Sequence, residues 1–320
     1  MWKDYFKLHF IILLWGFTAI TGKWVSIDAT TLVCYRTFLA ALGVGTLLLL
    51  RGVSFRVEKT ALIKMLLTGG LVASHWACFF EAARVATVSV CLIGLASTAF
   101  WTSLLEPFIA RRSWKAYELI LGGIMVAAMA AISGFQPQYI GGLMLGVMSA
   151  IFGALFTIIN AQFTQKHNHF AITFYEMVGA FLAINVFLGF LYLRGDDIVF
   201  LPIAKEGQTL ATAYLYDGLN LFFLAIICTV YAYSASVELM RRIPAFAVNL
   251  SVNLEPVYGI IMAAVLFDEW KEMSIEFYFA ALVILLCVFA YPFVERWAGR
   301  QAKLRAERKT GFAVAPKIDA

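Results

Sequence analysis

Two stretches decide the fold: Phe79-Phe80-Glu81-Ala82-Ala83-Arg84-Val85-Ala86-Thr87 and Ser236-Val237-Glu238-Leu239-Met240-Arg241-Arg242-Ile243-Pro244. Each closes a long apolar run with a glutamate, places an arginine three residues further on, and lets a new apolar run begin almost at once. A run of about 20 apolar residues is what crosses a bilayer as a helix, so each stretch reads as a tight hairpin between two spans. Working outward, the runs fall at 8–25, 31–50, 61–83, 88–110 and 116–134, then at 140–163, 170–193, 216–239, 245–267 and 274–294. The hairpins join the third run to the fourth and the eighth to the ninth.

Composition leaves room for little else. Of 320 residues 62% are apolar and 14% charged, with a mean hydropathy of +0.82, whereas soluble domains carry roughly 25% charged residues. Water-soluble enzymes and disordered chains are excluded. The first run is too long for a cleaved leader, carries Trp15 and has no small-residue cleavage site, so it is expected to be retained. Cys34, Cys78, Cys91, Cys228 and Cys287 all lie in apolar runs without a C-x-x-C pair and read as small buried hydrophobes. His167 and His169 have no companion ligands, and no zinc-protease, P-loop, dinucleotide or nucleophile-elbow motif occurs. The expectation is therefore no enzyme, no cofactor and no metal, with any active transport driven by an ion or proton gradient.

The two hairpins are one part of an internal repeat. Tyr35-Arg36 in the second run matches Tyr175-Glu176 in the seventh, Trp15-Gly16 matches Phe152-Gly153, and Trp114 and Trp270 close the fourth and ninth runs. A unit of five spans is odd, so the second copy enters the membrane from the opposite side, the inverted arrangement from which many transporters build a midplane site. The expected fold is all-α integral membrane, ten transmembrane helices in two inverted five-helix repeats: residues 1–138, residues 139–298, and a basic cytoplasmic tail, 299–320. Nineteen of the 25 basic residues fall in the N-terminus, alternate loops and tail, five in the other loops, and Arg36 within a span. By the positive-inside rule both termini face the cytoplasm of a cell (inner or plasma) membrane. The net charge of +5 belongs to that membrane surface, not to nucleic acid. Glu106 in Leu105-Glu106-Pro107 sits at a helix end and Glu255 in Leu254-Glu255-Pro256 near midplane, so the two motifs are not equivalents.

The five-plus-five layout, the Glu-Ala-Ala-Arg-Val-Ala-Thr hairpin at 81–87, and Asn253-Leu254-Glu255-Pro256 followed by Phe267-Asp268-Glu269-Trp270 resemble the EamA-like family of the drug/metabolite transporter superfamily. The resemblance covers nearly the whole chain. It implies a ten-helix permease or exporter of small metabolites such as amino acids or their analogues. The chain departs from the family pattern at Phe100, where proline is common, and at Ser113, where glutamate is common.

Ionisable groups inside a bilayer cost at least about 2.5 to 3.5 kcal/mol on insertion scales, which makes each a functional candidate. Arg36 either snorkels or lines a cavity. Glu81 with Arg84, Glu238 with Arg241, and Glu106 with Arg111 and Arg112 read as structural ion pairs. Glu176 and Glu255 lie deeper and are the proton-coupling candidates. Around the ninth span at 100° per residue, Asn249, Asn253 and Pro256 share one face and Glu255 a face roughly opposite; Pro256 is a hinge or a static kink. Trp15, His75, Trp76 and Trp101, with Asn160, Tyr175 and Tyr231, complete the candidate substrate-binding set. Partners are a small-molecule substrate and the lipid bilayer, in a monomer or homodimer. Competing classes are an intramembrane lipid-modifying enzyme, for which Asp268, Glu269 and Glu272 form the nearest acidic group, and a structural membrane subunit.

Overall fold

The computed structural model describes residues 2–135, 137–205, 207–252, 254–271 and 273–310. The described residues form helices α1 (Trp2–Gly16), α2 (Thr18–Trp24), α3 (Ala29–Leu50), α4 (Lys59–Val85), α5 (Val88–Leu95), α6 (Thr98–Ile109), α7 (Ala116–Phe135), α8 (Ile140–Phe163), α9 (His169–Arg194), α10 (Leu210–Phe222), a π-helical segment (Phe223–Tyr233), α11 (Ser234–Leu239), α12 (Ala245–Val252), α13 (Glu255–Leu266) and α14 (Ile275–Thr310). Among the described residues seven helical stretches, those at Lys3–Trp24 and Val88–Ile109 being interrupted, are long and apolar enough to cross a membrane; Ala116–Ala128 and Val257–Leu266 are shorter apolar helices. α14 continues past the apolar run into the basic tail as far as Thr310.

Local chemistry sets where the helices begin and end. Thr87 and Asn168 accept the backbone N–H groups of Val90 at 3.1 Å and Phe170 at 2.9 Å, capping α5 and α9. Gly195 ends α9 at φ 86°, a left-handed conformation open to glycine. The surface keeps the apolar side chains a lipid environment accepts: Leu49, Phe6, Val186, Val265 and Phe293 are all more than two-thirds exposed.

Three of the expected spans are broken where a continuous helix was anticipated, at Phe17, at residues 96–97 and at Leu254. The fourth and ninth are alike, each an eight-residue helix followed by a twelve-residue helix. They pack crosswise, α5 on α13 and α6 on α12. Side-chain hydroxyls take up carbonyls near the breaks: Thr18 bonds Trp15 O at 2.7 Å, Ser97 bonds Gly94 O at 2.8 Å and Thr98 bonds Leu95 O. That is how irregular backbone is tolerated at membrane depth. Glycines set the closest approaches: a Cβ on Gly69 of α4 or Gly179 of α9 would run into the backbone of the other helix. Gly146 comes close to α5 as well, where a Cβ would lie 2.9 Å from Cys91 O.

Candidate functional site

The helix breaks surround a central cavity of about 70 Å³. Trp15 and Thr18 border it on either side of the first break, Leu95 and Thr98 on either side of the second, and Val252 and Glu255 on either side of the third. Arg36, His75, Trp76, Gly153, Phe156, Tyr233 and Asn249 add most of the remaining wall. Asn249 and Glu255 line the same cavity, although a continuous helix puts them on different faces; the break between α12 and α13 resets the angular phase. Asn253 lies outside the described residues. Pro256 stands in the first turn of α13, where its missing N–H leaves no internal hydrogen bond unmade.

Arg36 is buried at 2% exposure. Its guanidinium carbon lies 3.8 Å from the centre of the Trp76 ring and 5.7 Å from that of Phe80, and Nε donates to Thr229 Oγ1 at 2.9 Å. Its burial excludes snorkelling; among the described residues no carboxylate closes an ion pair with it, and Glu255 is the carboxylate whose charge acts on it. Glu255, also buried, has neither a hydrogen bond nor an ion pair among the described residues. His75 Nδ1 sits 2.8 Å from the Ser149 carbonyl, which can only accept, so Nδ1 carries the proton; Ser149 Oγ donates back to the His75 carbonyl at 3.0 Å. Trp15 Nε1 donates to Cys228 O at 3.1 Å, within the π-helical segment. Asn249 Nδ2 donates to Thr102 Oγ1 at 2.8 Å, joining α12 to α6.

Behind the wall, Glu176 Oε2 accepts from Tyr233 Oη at 2.9 Å and from Asn160 Nδ2 at 3.3 Å, and Asn160 also donates to Tyr233 Oη at 3.1 Å. Tyr233 was not among the expected residues. The signal for it is the repeat: Tyr233 stands five residues before Glu238, as Trp76 stands five before Glu81. The two rings meet edge to face with centroids 6.0 Å apart.

Other expected residues fall outside the cavity. Tyr231 is 44% exposed and packs on Phe10. Tyr175 points its hydroxyl at the Phe55 carbonyl, 2.6 Å away. Trp101 packs on Phe100, its indole N–H buried without a partner among the described residues. The arginines of the two hairpins do not pair with their own glutamates either. Arg84 donates to the carbonyls of Gly22 at 2.9 Å, Ile27 at 2.6 Å and Val25 at 3.4 Å, gripping the end of α2. Arg241 donates to Thr164 O at 2.7 Å, the cap of α8. A cation at a helix C-terminus meets its unpaired carbonyls and the negative end of its dipole, which outcompetes a partner one turn away. Glu238 takes Lys7 instead, at 2.8 Å. Glu106 does pair with Arg112, at 2.9 Å, as expected; Arg112 also holds Glu118 at 2.6 Å. In the outer loop, hydrogen bonds from Lys271 and Trp270 hold the exposed Asp268 carboxyl below the usual range. Glu272 lies outside the described residues, and the described ones contain no cluster fit to hold a metal ion.

Apolar helices long enough to span, an apolar surface and a buried polar cavity built at helix breaks define a multi-pass membrane protein of the transporter class. Residues 140–291 match the model of the EamA-like transporter family. That family is part of the drug/metabolite transporter superfamily. A solved crystal structure 16% identical in sequence superposes with a TM-score of 0.63 over 91% of this chain and 97% of its own; that likeness is one of fold. No curated protein matches the sequence.

Proposed function

We propose that the protein is a ten-helix secondary transporter built as two inverted repeats, residues 1–138 and 139–298, with 299–320 as a basic cytoplasmic tail. It exports small amphipathic metabolites, amino acids or close relatives, across the cell membrane by alternating access. The like-broken fourth and ninth spans and the two arginine clamps support the repeat, since equivalent residues do equivalent work in both halves. The observation that carries the transport reading is the pair of buried charges at the cavity, Arg36 and Glu255, with no ion-pair partner among the described residues.

The two opposite charges act on each other without closing an ion pair; a desolvated charge gains from a direct counter-charge, and a zwitterion supplies one to each. Arg36 takes the substrate carboxylate, Glu255 its ammonium, Trp15 and Trp76 its apolar part, and Asn249 a further hydrogen bond. With about 70 Å³ of free space the cavity has room for a few water molecules, each needing about 10 to 15 Å³. Admitting a metabolite therefore requires the two halves to part. Radiolabelled amino-acid exchange in proteoliposomes tests this reading: Arg36→Gln and Glu255→Gln are expected to lose exchange at normal membrane abundance. Parent-like exchange in both variants removes these residues from the mechanism.

A further inference from the structure

Glu176 and Glu255 are both buried carboxylates, yet their surroundings differ in kind. Glu255 borders the cavity and has no hydrogen-bond partner among the described residues. Glu176 is 0% exposed and lies behind Tyr233, which borders the cavity in its place. An amide NH2 can only donate, so Asn160 donates to Tyr233 Oη, and the single phenolic proton is left for Glu176 Oε2, 2.9 Å away. The second oxygen, Oε1, is buried without a partner, and no cation pairs with Glu176 among the described residues. At the matching position of the first half a permanent cation, Arg36, lies against Trp76, which has no hydroxyl. Among the described residues, the second half joins a buried carboxylate to the cavity through a proton-bearing side chain and the first half does not.

Resting on the transport reading above, we propose that Glu176 carries the coupling proton and that Tyr233 passes it between the cavity and Glu176, while Glu255 serves the substrate ammonium. A hydronium ion in the cavity gives its proton to Tyr233 Oη as the phenolic proton crosses to Glu176 Oε2. Water remains in the cavity, Glu176 becomes neutral, and the tyrosine ends as it began. The reverse transfer discharges Glu176 when the cavity faces the other side. Of the elements packed on α9, α3 brings Arg36 and α4 brings His75 to the cavity, and α11 carries Glu238, which is held by Lys7; Asn160 of α8 and Tyr233 of the π-helical segment reach Glu176 by hydrogen bond. Both His75 Nδ1 and its carbonyl are engaged by Ser149, which leaves the tyrosine as the shortest connection.

The test compares two assays on one set of proteoliposomes: amino-acid exchange at equal pH, and uphill movement driven by a pH gradient. Glu176→Gln, behind the cavity wall, is expected to keep exchange, which also proves it folded, and to lose pH-driven accumulation to the level of protein-free liposomes; Tyr233→Phe is expected to lose pH-driven accumulation by a larger factor than exchange. Glu255→Gln is expected to lose both. Parent-like pH-driven accumulation in Tyr233→Phe overturns the relay, and so do equal losses in its two assays, which would place Tyr233 in substrate binding. A parent protein that exchanges amino acids but ignores the pH gradient overturns the relay and leaves the transport reading standing; one that exchanges nothing sinks both.

Discussion

At the scale of single residues, the contact between Arg36 and Trp76 explains why an arginine is found there. A planar guanidinium stacks on an indole face while its Nε still reaches a hydroxyl, here that of Thr229; a lysine ammonium cannot do both. A desolvated cation–π contact is worth about 2 kcal/mol, roughly 30-fold in affinity. Arg36→Lys is therefore expected to raise the KM for exchange by roughly that factor while membrane abundance stays normal. Trp76→Leu should do the same, and the double variant should cost little more than either alone. An additive double variant, measured by the same exchange assay, would separate the two side chains. The sequence singled out both residues but not their contact, because they lie on different helices and neither motif mentions the other. It also missed Tyr233, one aromatic among many until the repeat alignment sets it opposite Trp76.

Among the elements, the hairpins that open the sequence turn out to be anchors for other helices. Hydrogen bonds to a charged partner contribute about 1.5 to 3 kcal/mol each, and Arg84 makes three to the end of α2 where Arg241 makes one to the end of α8. Thermal unfolding followed by size-exclusion chromatography should thus show Arg84→Ala melting well below Arg241→Ala, with both below the parent. Equal losses would contradict the clamp geometry. The α4–α9 contact makes a sharper demand. Gly69→Ala and Gly179→Ala each push a methyl group into the facing backbone, an overpacking that costs about 1 to 3 kcal/mol or more. Gly189→Ala on the open face of α9 meets nothing and is expected to be neutral or slightly stabilising. A melting temperature of Gly69→Ala at or above the parent's would show that the helices are not held that close.

For the whole molecule, the uneven distribution of Lys and Arg predicts a direction across the membrane. A cysteine placed at Asp197 is expected to react with an impermeant maleimide in intact cells, and one at Gly52 only after permeabilisation, each relative to the parent chain. The opposite pattern would invert the topology. Apolar run length was enough to read a multi-pass membrane protein, because the length a helix needs follows from the thickness of the bilayer. The breaks at Phe17, 96–97 and Leu254 were not legible beyond the hinge or kink expected at Pro256, since the apolar runs resume past each of them and packing of α1 and α5 on α13 and of α6 on α12 holds the broken form. With the breaks went the cavity lining: once α13 is out of phase with α12, Asn249 and Glu255 converge, while Tyr175 and Tyr231 turn elsewhere. Sequence by itself determined that this chain lives in lipid, how many apolar runs it carries and which charges are out of place there. Tertiary structure alone decided which of those charges meet, because a contact between helices depends on angular phase and on distances that no single helix encodes.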